Sequence, residues 1–85
     1  MNVRDLLAAN IVRLRRARDL SQEALAWEAG VSRRYMARIE GGQTSTGVDI
    51  IGKFAAVLEV EPWELLRPLP PPKRGRKQVG RISEA

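Results

Sequence analysis

Residues 21–42 read Ser-Gln-Glu-Ala-Leu-Ala-Trp-Glu-Ala-Gly-Val-Ser-Arg-Arg-Tyr-Met-Ala-Arg-Ile-Glu-Gly-Gly, two short helical patterns separated by one glycine. Ser21 is placed to cap the first helix, because its hydroxyl can accept from first-turn amides that lack an intrahelical partner. Glu23 complements the positive end of that helix. Leu25, Ala26 and Ala29 share one face. Gly30 stops the helix, since glycine takes the left-handed conformation at little cost, and Val31 fills the angle that follows. Ser32 caps a second helix whose Met36 and Ile39 point inward, three apart, while Arg33, Arg34 and Arg38 lie off that stripe. Two helices at a steep angle, the second presenting guanidinium groups, form the geometry that enters a DNA major groove.

Outward from this unit the pattern stays helical. Val3, Leu6, Leu7, Ile11 and Leu14 recur at steps of three and four, which predicts an amphipathic helix over residues 3–18 with Asn2 as its cap. Residues 41–47 are dense in loop formers. Thr46 or Gly47 then starts a fourth helix with Val48, Ile51, Phe54, Ala55 and Leu58 as its apolar stripe, and Pro62 fits the first turn of a short fifth helix. Pro68, Pro70, Pro71 and Pro72 end all helix, and residues 73–85 carry too few large apolar side chains to order themselves. The expectation is an all-α, compact five-helix domain over residues 1–67, followed by a Pro-rich and then basic flexible tail over residues 68–85.

Charge divides along the same boundary. The net charge is +5, yet residues 1–66 hold nine basic and nine acidic side chains. The excess comes from Arg67, Lys73, Arg74, Arg76, Lys77 and Arg81 against Glu84. A domain of balanced charge with a basic tail suits a polyanionic partner on one side. The chain has no cysteine and no histidine, so thiolate chemistry and the commonest general base and metal ligand are missing. No catalytic residue, cofactor, metal or small-molecule ligand is expected. No run reaches the apolar length of a membrane span, and the first residues do not form an apolar signal segment. A cytoplasmic, nucleoid-associated protein is expected.

Leu20-Ser21-Gln22-Glu23, Leu25-Ala26, Ala29-Gly30-Val31-Ser32 and Ile39-Glu40-Gly41-Gly42 resemble the helix-turn-helix of the Xre/Cro-like family of bacterial and phage transcriptional regulators. The likeness extends to Ile11–Arg16 upstream and Phe54–Leu66 downstream, covering roughly residues 3–66. It implies a lambda-repressor-like DNA-binding domain in which the first residues of the second helix reach base edges: here Arg33, Arg34 and, one turn on, Arg38. Arginine chemistry agrees, because its planar donor fork matches guanine O6 and N7. A G-containing half-site follows. The plainer assignment is that these arginines touch phosphates or only solvate the helix.

The same resemblance implies further roles. Gln22 clamps a phosphate, or else serves only as a helix-start residue. Ser32 combines cap and phosphate donor. Tyr35 faces the DNA backbone or is half-buried against the domain. The loop Gln43, Thr44 and Ser45 meets the sugar-phosphate backbone without a cation. Arg15 and Glu40 correspond to a structural ion pair. Ile50, Val57, Trp63 and Leu66 fall beside the main apolar stripes and are expected to form a homodimer interface, or else to complete a monomer core. A two-fold dimer reads half-sites on successive turns of an inverted-repeat operator. The tail's Lys73-Arg74-Gly75-Arg76-Lys77 resembles the centre of an AT-hook, and read plainly is a solvated basic segment; both readings steepen the salt dependence of binding.

A double-stranded-DNA-binding transcriptional regulator is the leading expectation, as a phage-type repressor, a restriction–modification controller or an antitoxin-type autoregulator, with RNA polymerase as a further contact. The alternatives are a protein-interaction module on the same fold and a sequence-tolerant DNA binder anchored by its tail.

Overall fold

Four α-helices and one closing turn follow in order in the computed structural model, which describes residues 2–69. They are α1 (Val3–Ala17), α2 (Gln22–Ala29), α3 (Arg33–Glu40), α4 (Val48–Leu58) and a 3-10 turn at Pro62–Leu65. All regular structure among the described residues is helical. Lys73, Arg74, Arg76 and Lys77 lie outside the described residues, as does the tail beyond residue 69.

Local chemistry starts three of the four helices. Asn2 Oδ1 accepts from the Asp5 amide at 2.9 Å. Ser21 Oγ accepts from Ala24 at 2.9 Å, and Ser32 Oγ accepts from Tyr35 at 3.0 Å. The fourth helix begins at Gly47 with no side-chain cap. All four helices end alike, with a left-handed residue whose successor's amide reaches back five residues: Leu20 to Arg15, Val31 to Ala26, Gln43 to Arg38 and Val60 to Ala55. Glycine occupies the left-handed position after α2 and α3, at Gly30 and Gly42, whereas Asp19 and Glu59 occupy it after α1 and α4.

The core gathers one face from each element: Leu7 and Ile11 of α1, Leu25, Ala26 and Ala29 of α2, Met36 and Ile39 of α3, Phe54, Ala55 and Leu58 of α4, and Leu65 of the turn. α1 packs across α3, α4 and the turn, and α2 packs on α3 and α4. Two sequence expectations fail here. Val3 and Val48 are 66% and 82% exposed, because each lies in the first turn of its helix, ahead of the packed surface. The expected fifth helix is the four-residue 3-10 turn. Pro68 biases Arg67 away from the helical region, and the carbonyls of Leu65 and Arg67 are taken by the side chain of Asn10 instead of by a continuing helical ladder.

Candidate nucleic-acid interface

The recognition unit is fixed from behind by a polar lock. Arg15 of α1 meets Glu40 at the end of α3 with two hydrogen bonds, Nε to Oε2 at 2.7 Å and Nη2 to Oε1 at 3.1 Å. Arg15 Nη1 also donates to the Leu20 carbonyl at 2.7 Å, and Gln22 Nε2 donates to Glu40 Oε1 at 2.8 Å. Only 11% of the Arg15 side chain and 4% of the Glu40 side chain reach solvent. Burying a charge is costly unless it is paired and hydrogen-bonded; here the carboxylate has three donors around it. The lock spans α1, the α1–α2 joint, the start of α2 and the end of α3, so it sets the angle between the two helices.

In front of the lock, α3 divides cleanly. Met36 and Ile39 are buried, and Arg33, Arg34 and Arg38 are exposed. Arg33 Nη1 approaches Glu23 Oε2 of α2 at 3.9 Å, with both side chains more than two-thirds exposed. Such a pair is weak and readily exchanged for another anion. The three guanidinium groups project from the first two turns of one eight-residue helix, and a helix is about 10–12 Å across with its side chains, which the roughly 12 Å width of a B-DNA major groove admits.

The other candidate contacts surround this edge. Ser32 is exposed at the N-terminus of α3, where unpaired amides and the helix dipole favour phosphate. Tyr35 is half-buried against the core with its hydroxyl 3.4 Å from the Ser45 carbonyl, tying α3 to the loop that follows. Gln43 and Ser45 are exposed and Thr44 is half-buried. Gln22, assigned to a phosphate from the sequence, has its amide nitrogen committed to Glu40, leaving its carbonyl oxygen unassigned.

At the far end of the domain, Trp63 is 61% exposed and Leu66 40% exposed. Ile50 and Val57 of α4 are half-buried against the core. The Arg67 guanidinium lies 5.6 Å from the Trp63 ring centroid, within cation–π range. Sequence reasoning missed two residues. Trp27, 84% exposed on α2, lies off the Leu25, Ala26, Ala29 face and was readable as an outward indole. Asn10 is fully buried, and its spacing of three from Leu7 and four from Leu14 placed it on the apolar stripe of α1. Among the described residues no three His, Cys, Asp or Glu side chains converge to hold a metal ion, and no helix is long and apolar enough to cross a membrane.

This arrangement recurs in known proteins. Residues 6–69 match the family model of a helix-turn-helix domain. The chain is 34% identical over 68 residues to the HTH-type transcriptional regulator y4dJ of Sinorhizobium fredii, spanning 80% of this chain and 88% of that one. It is 35% identical over 66 residues to the control protein C.BamHI of Bacillus amyloliquefaciens, spanning 76% and 82%. The solved structure of the restriction-modification controller protein C.AhdI from Aeromonas hydrophila superposes with a TM-score of 0.71 at 37% identity, over 73% of this chain and 94% of that one. With a family model matched over most of its length and relatives above 30% identity, the chain belongs to the Xre/Cro-like helix-turn-helix family of transcriptional regulators.

Proposed function

We propose that this chain is a sequence-specific double-stranded-DNA-binding transcriptional regulator that acts as a homodimer and reads an inverted repeat through α3. The observation that carries the reading is the pairing of a buried lock with exposed arginines: Arg15, Glu40 and Gln22 hold α2 against α3, and Arg33, Arg34 and Arg38 project unburied from the helix so fixed. Each guanidinium well placed on guanine O6 and N7 discriminates by about 1–3 kcal/mol. Ser32, Tyr35, Gln43, Thr44 and Ser45 supply neutral donors along the backbone on either side. Trp63 and Leu66, with the exposed edges of Ile50 and Val57, form the self-association face, and two-fold symmetry sets half-sites about 34–36 Å apart. One relative is named a restriction-modification controller protein and another a control protein, and a restriction–modification controller is the sub-class this reading favours. The basic tail adds sequence-independent phosphate attraction.

One observation favours a second reading. Trp27 is 84% exposed on α2, flanked by Glu23 and Glu28, and an isolated indole among carboxylates suits a protein partner such as RNA polymerase. The two readings are compatible in a regulator and separable by experiment. Selection from a random duplex library with the full-length chain at near-physiological salt is expected to enrich an inverted repeat with G-containing half-sites one helical turn apart. Recovery of no motif sinks the sequence-specific reading and moves the protein-interaction module ahead.

A further inference from the structure

Asn10 is, among the described residues, the one polar residue wholly removed from solvent. Its Nδ2 donates to the Leu65 carbonyl at 3.0 Å and to the Arg67 carbonyl at 2.9 Å. Its Oδ1 accepts from Arg13 Nη2 at 3.1 Å. The two carbonyls fix which end of the amide carries nitrogen, and both of its N–H donors are used. A leucine at this place on the α1 stripe would fill the same space without the cost of burying an amide, so packing alone does not require Asn10.

What the amide holds is the segment that displays the exposed apolar side chains. By fixing the carbonyls on either side of Leu66, it sets the direction in which Leu66 projects, and it fixes the backbone from which Arg67 reaches back over the Trp63 ring. Trp63 and Leu66 are thereby displayed outward in one arrangement instead of many. Glu61 caps the turn, Glu64 lies within it and Arg67 follows two residues after its end, so the closing segment carries both signs of charge beside Trp63 and Leu66. A two-fold interface brings the same patch of each copy together, so a patch that carries both signs of charge can complement itself.

We infer that Asn10 is the positioning residue of the self-association face, clamping the Leu65 and Arg67 carbonyls so that Trp63, Leu66 and Arg67 meet a second copy of this chain preformed. The inference rests on the homodimer reading above. Its physical basis is that ordering a flexible segment at the moment of association subtracts from affinity, and a segment already fixed avoids that loss.

The test is sedimentation velocity over a range of concentrations on the full chain, N10A, N10L and R67A, with circular dichroism melts and binding to a duplex carrying one half-site. N10A is expected to self-associate roughly tenfold more weakly at a temperature where it is folded, with half-site affinity unchanged because α2, α3 and their lock lie apart from the clamp. R67A, which leaves the buried amide in place, is expected to weaken association in the same direction. A wild-type chain that stays monomeric at every concentration sinks the homodimer reading and this inference with it. A dimeric wild type matched by an equally dimeric N10A overturns the inference alone. Parallel loss of half-site binding and association in N10A makes Asn10 a folding residue and also overturns it. If N10A does not fold, the size-matched N10L decides: association as tight as wild type overturns the inference, and roughly tenfold weakening with half-site binding kept supports it.

Discussion

The helix-turn-helix unit and the closing segment from α4 to Arg67 belong to one small core, yet different ranges of interaction specify them. The caps and left-handed turns of α2 and α3 come from residues within a few positions: Ser21, Ser32, Gly30 and Gly42. α4 starts without a side-chain cap and ends on a strained glutamate, and the last turn depends on an amide more than fifty residues away. The two helices of the unit are therefore started and stopped by local rules, and only their mutual angle calls on the Arg15–Glu40 lock. The closing surface exists only once the chain has folded back on α1.

The hardest way to break this contrast is to strike the element that joins the unit to the rest. Glu40→Ala leaves Arg15 buried without its carboxylate, and removing one partner of such a pair costs about 3–5 kcal/mol. Urea unfolding should show the midpoint fall with the slope unchanged. The double variant R15L/E40L should recover much of that loss, because the surviving charge is gone as well. If E40A unfolds like wild type, the lock contributes nothing and the angle between α2 and α3 is set by packing alone.

On the exposed side of the same helix the expectation reverses. R33A/R34A should weaken binding to the selected operator by about 1–3 kcal/mol per arginine, while its unfolding free energy stays within about 0.5 kcal/mol of wild type, since neither side chain is buried. Matching losses in stability and binding would show that these arginines support the helix instead of the DNA.

How much was legible follows from the same difference in range. Ser21, Gly30, Ser32 and the Met36–Ile39 stripe act on neighbours in sequence, so propensity and spacing locate the unit. Four helices and the core residues Leu7, Ile11, Leu25, Met36, Ile39, Phe54 and Leu58 follow from periodicity. Periodicity overruns at helix starts, where Val3 and Val48 continue the pattern but extend past the surface they would pack against. The expected fifth helix gives way to a 3-10 turn for a related reason: Pro62 signals a helical start correctly, but Pro68 follows closely and Asn10 takes the carbonyls of Leu65 and Arg67. Spacing places Asn10 on the buried stripe of α1, but the carbonyls it holds, more than fifty residues away, are known only from the fold. For the site, Arg33, Arg34 and Arg38 were legible as exposed side chains, whereas the bond from Gln22 to Glu40 depends on tertiary geometry.

Capping sharpens the comparison at smaller scale. Ser32→Ala removes the acceptor for the Tyr35 amide and should cost about 1 kcal/mol. Gly47→Ser at the uncapped start of α4 should gain a few tenths of a kcal/mol, because a Cβ there meets nothing within 4 Å. Equal and opposite effects are not expected; the loss exceeds the gain because glycine is already a tolerable cap. Thermal melts of the two single variants decide it, and a destabilised G47S would mean that α4 starts by tertiary packing without regard to its first residue.

The smallest effects lie where the helix ends differ. Asp19 and Glu59 both hold φ near 58°, a conformation that costs an L-residue about 1–2 kcal/mol relative to the right-handed helix and glycine much less. Aspartate tolerates it better than glutamate, since its short side chain can bond locally. D19G should therefore gain little, and E59G should gain more. Glu59 has an opposing role, however, because its Oε2 lies 3.2 Å from Arg18 Nη2 in a pair that ties the end of α1 to the end of α4. Both side chains are substantially exposed, so the pair is worth only a few tenths of a kcal/mol. Backbone strain should win, and E59G should be net stabilising by about 0.5 kcal/mol. In an R18A background the same substitution should gain slightly more, because no pair is left to lose. A cycle of four proteins (wild type, R18A, E59G and the double variant) measures that difference directly. If E59G destabilises in both backgrounds, the left-handed glutamate is not strained, and the closing segment is as well adapted at its helix end as the recognition unit is with its glycines.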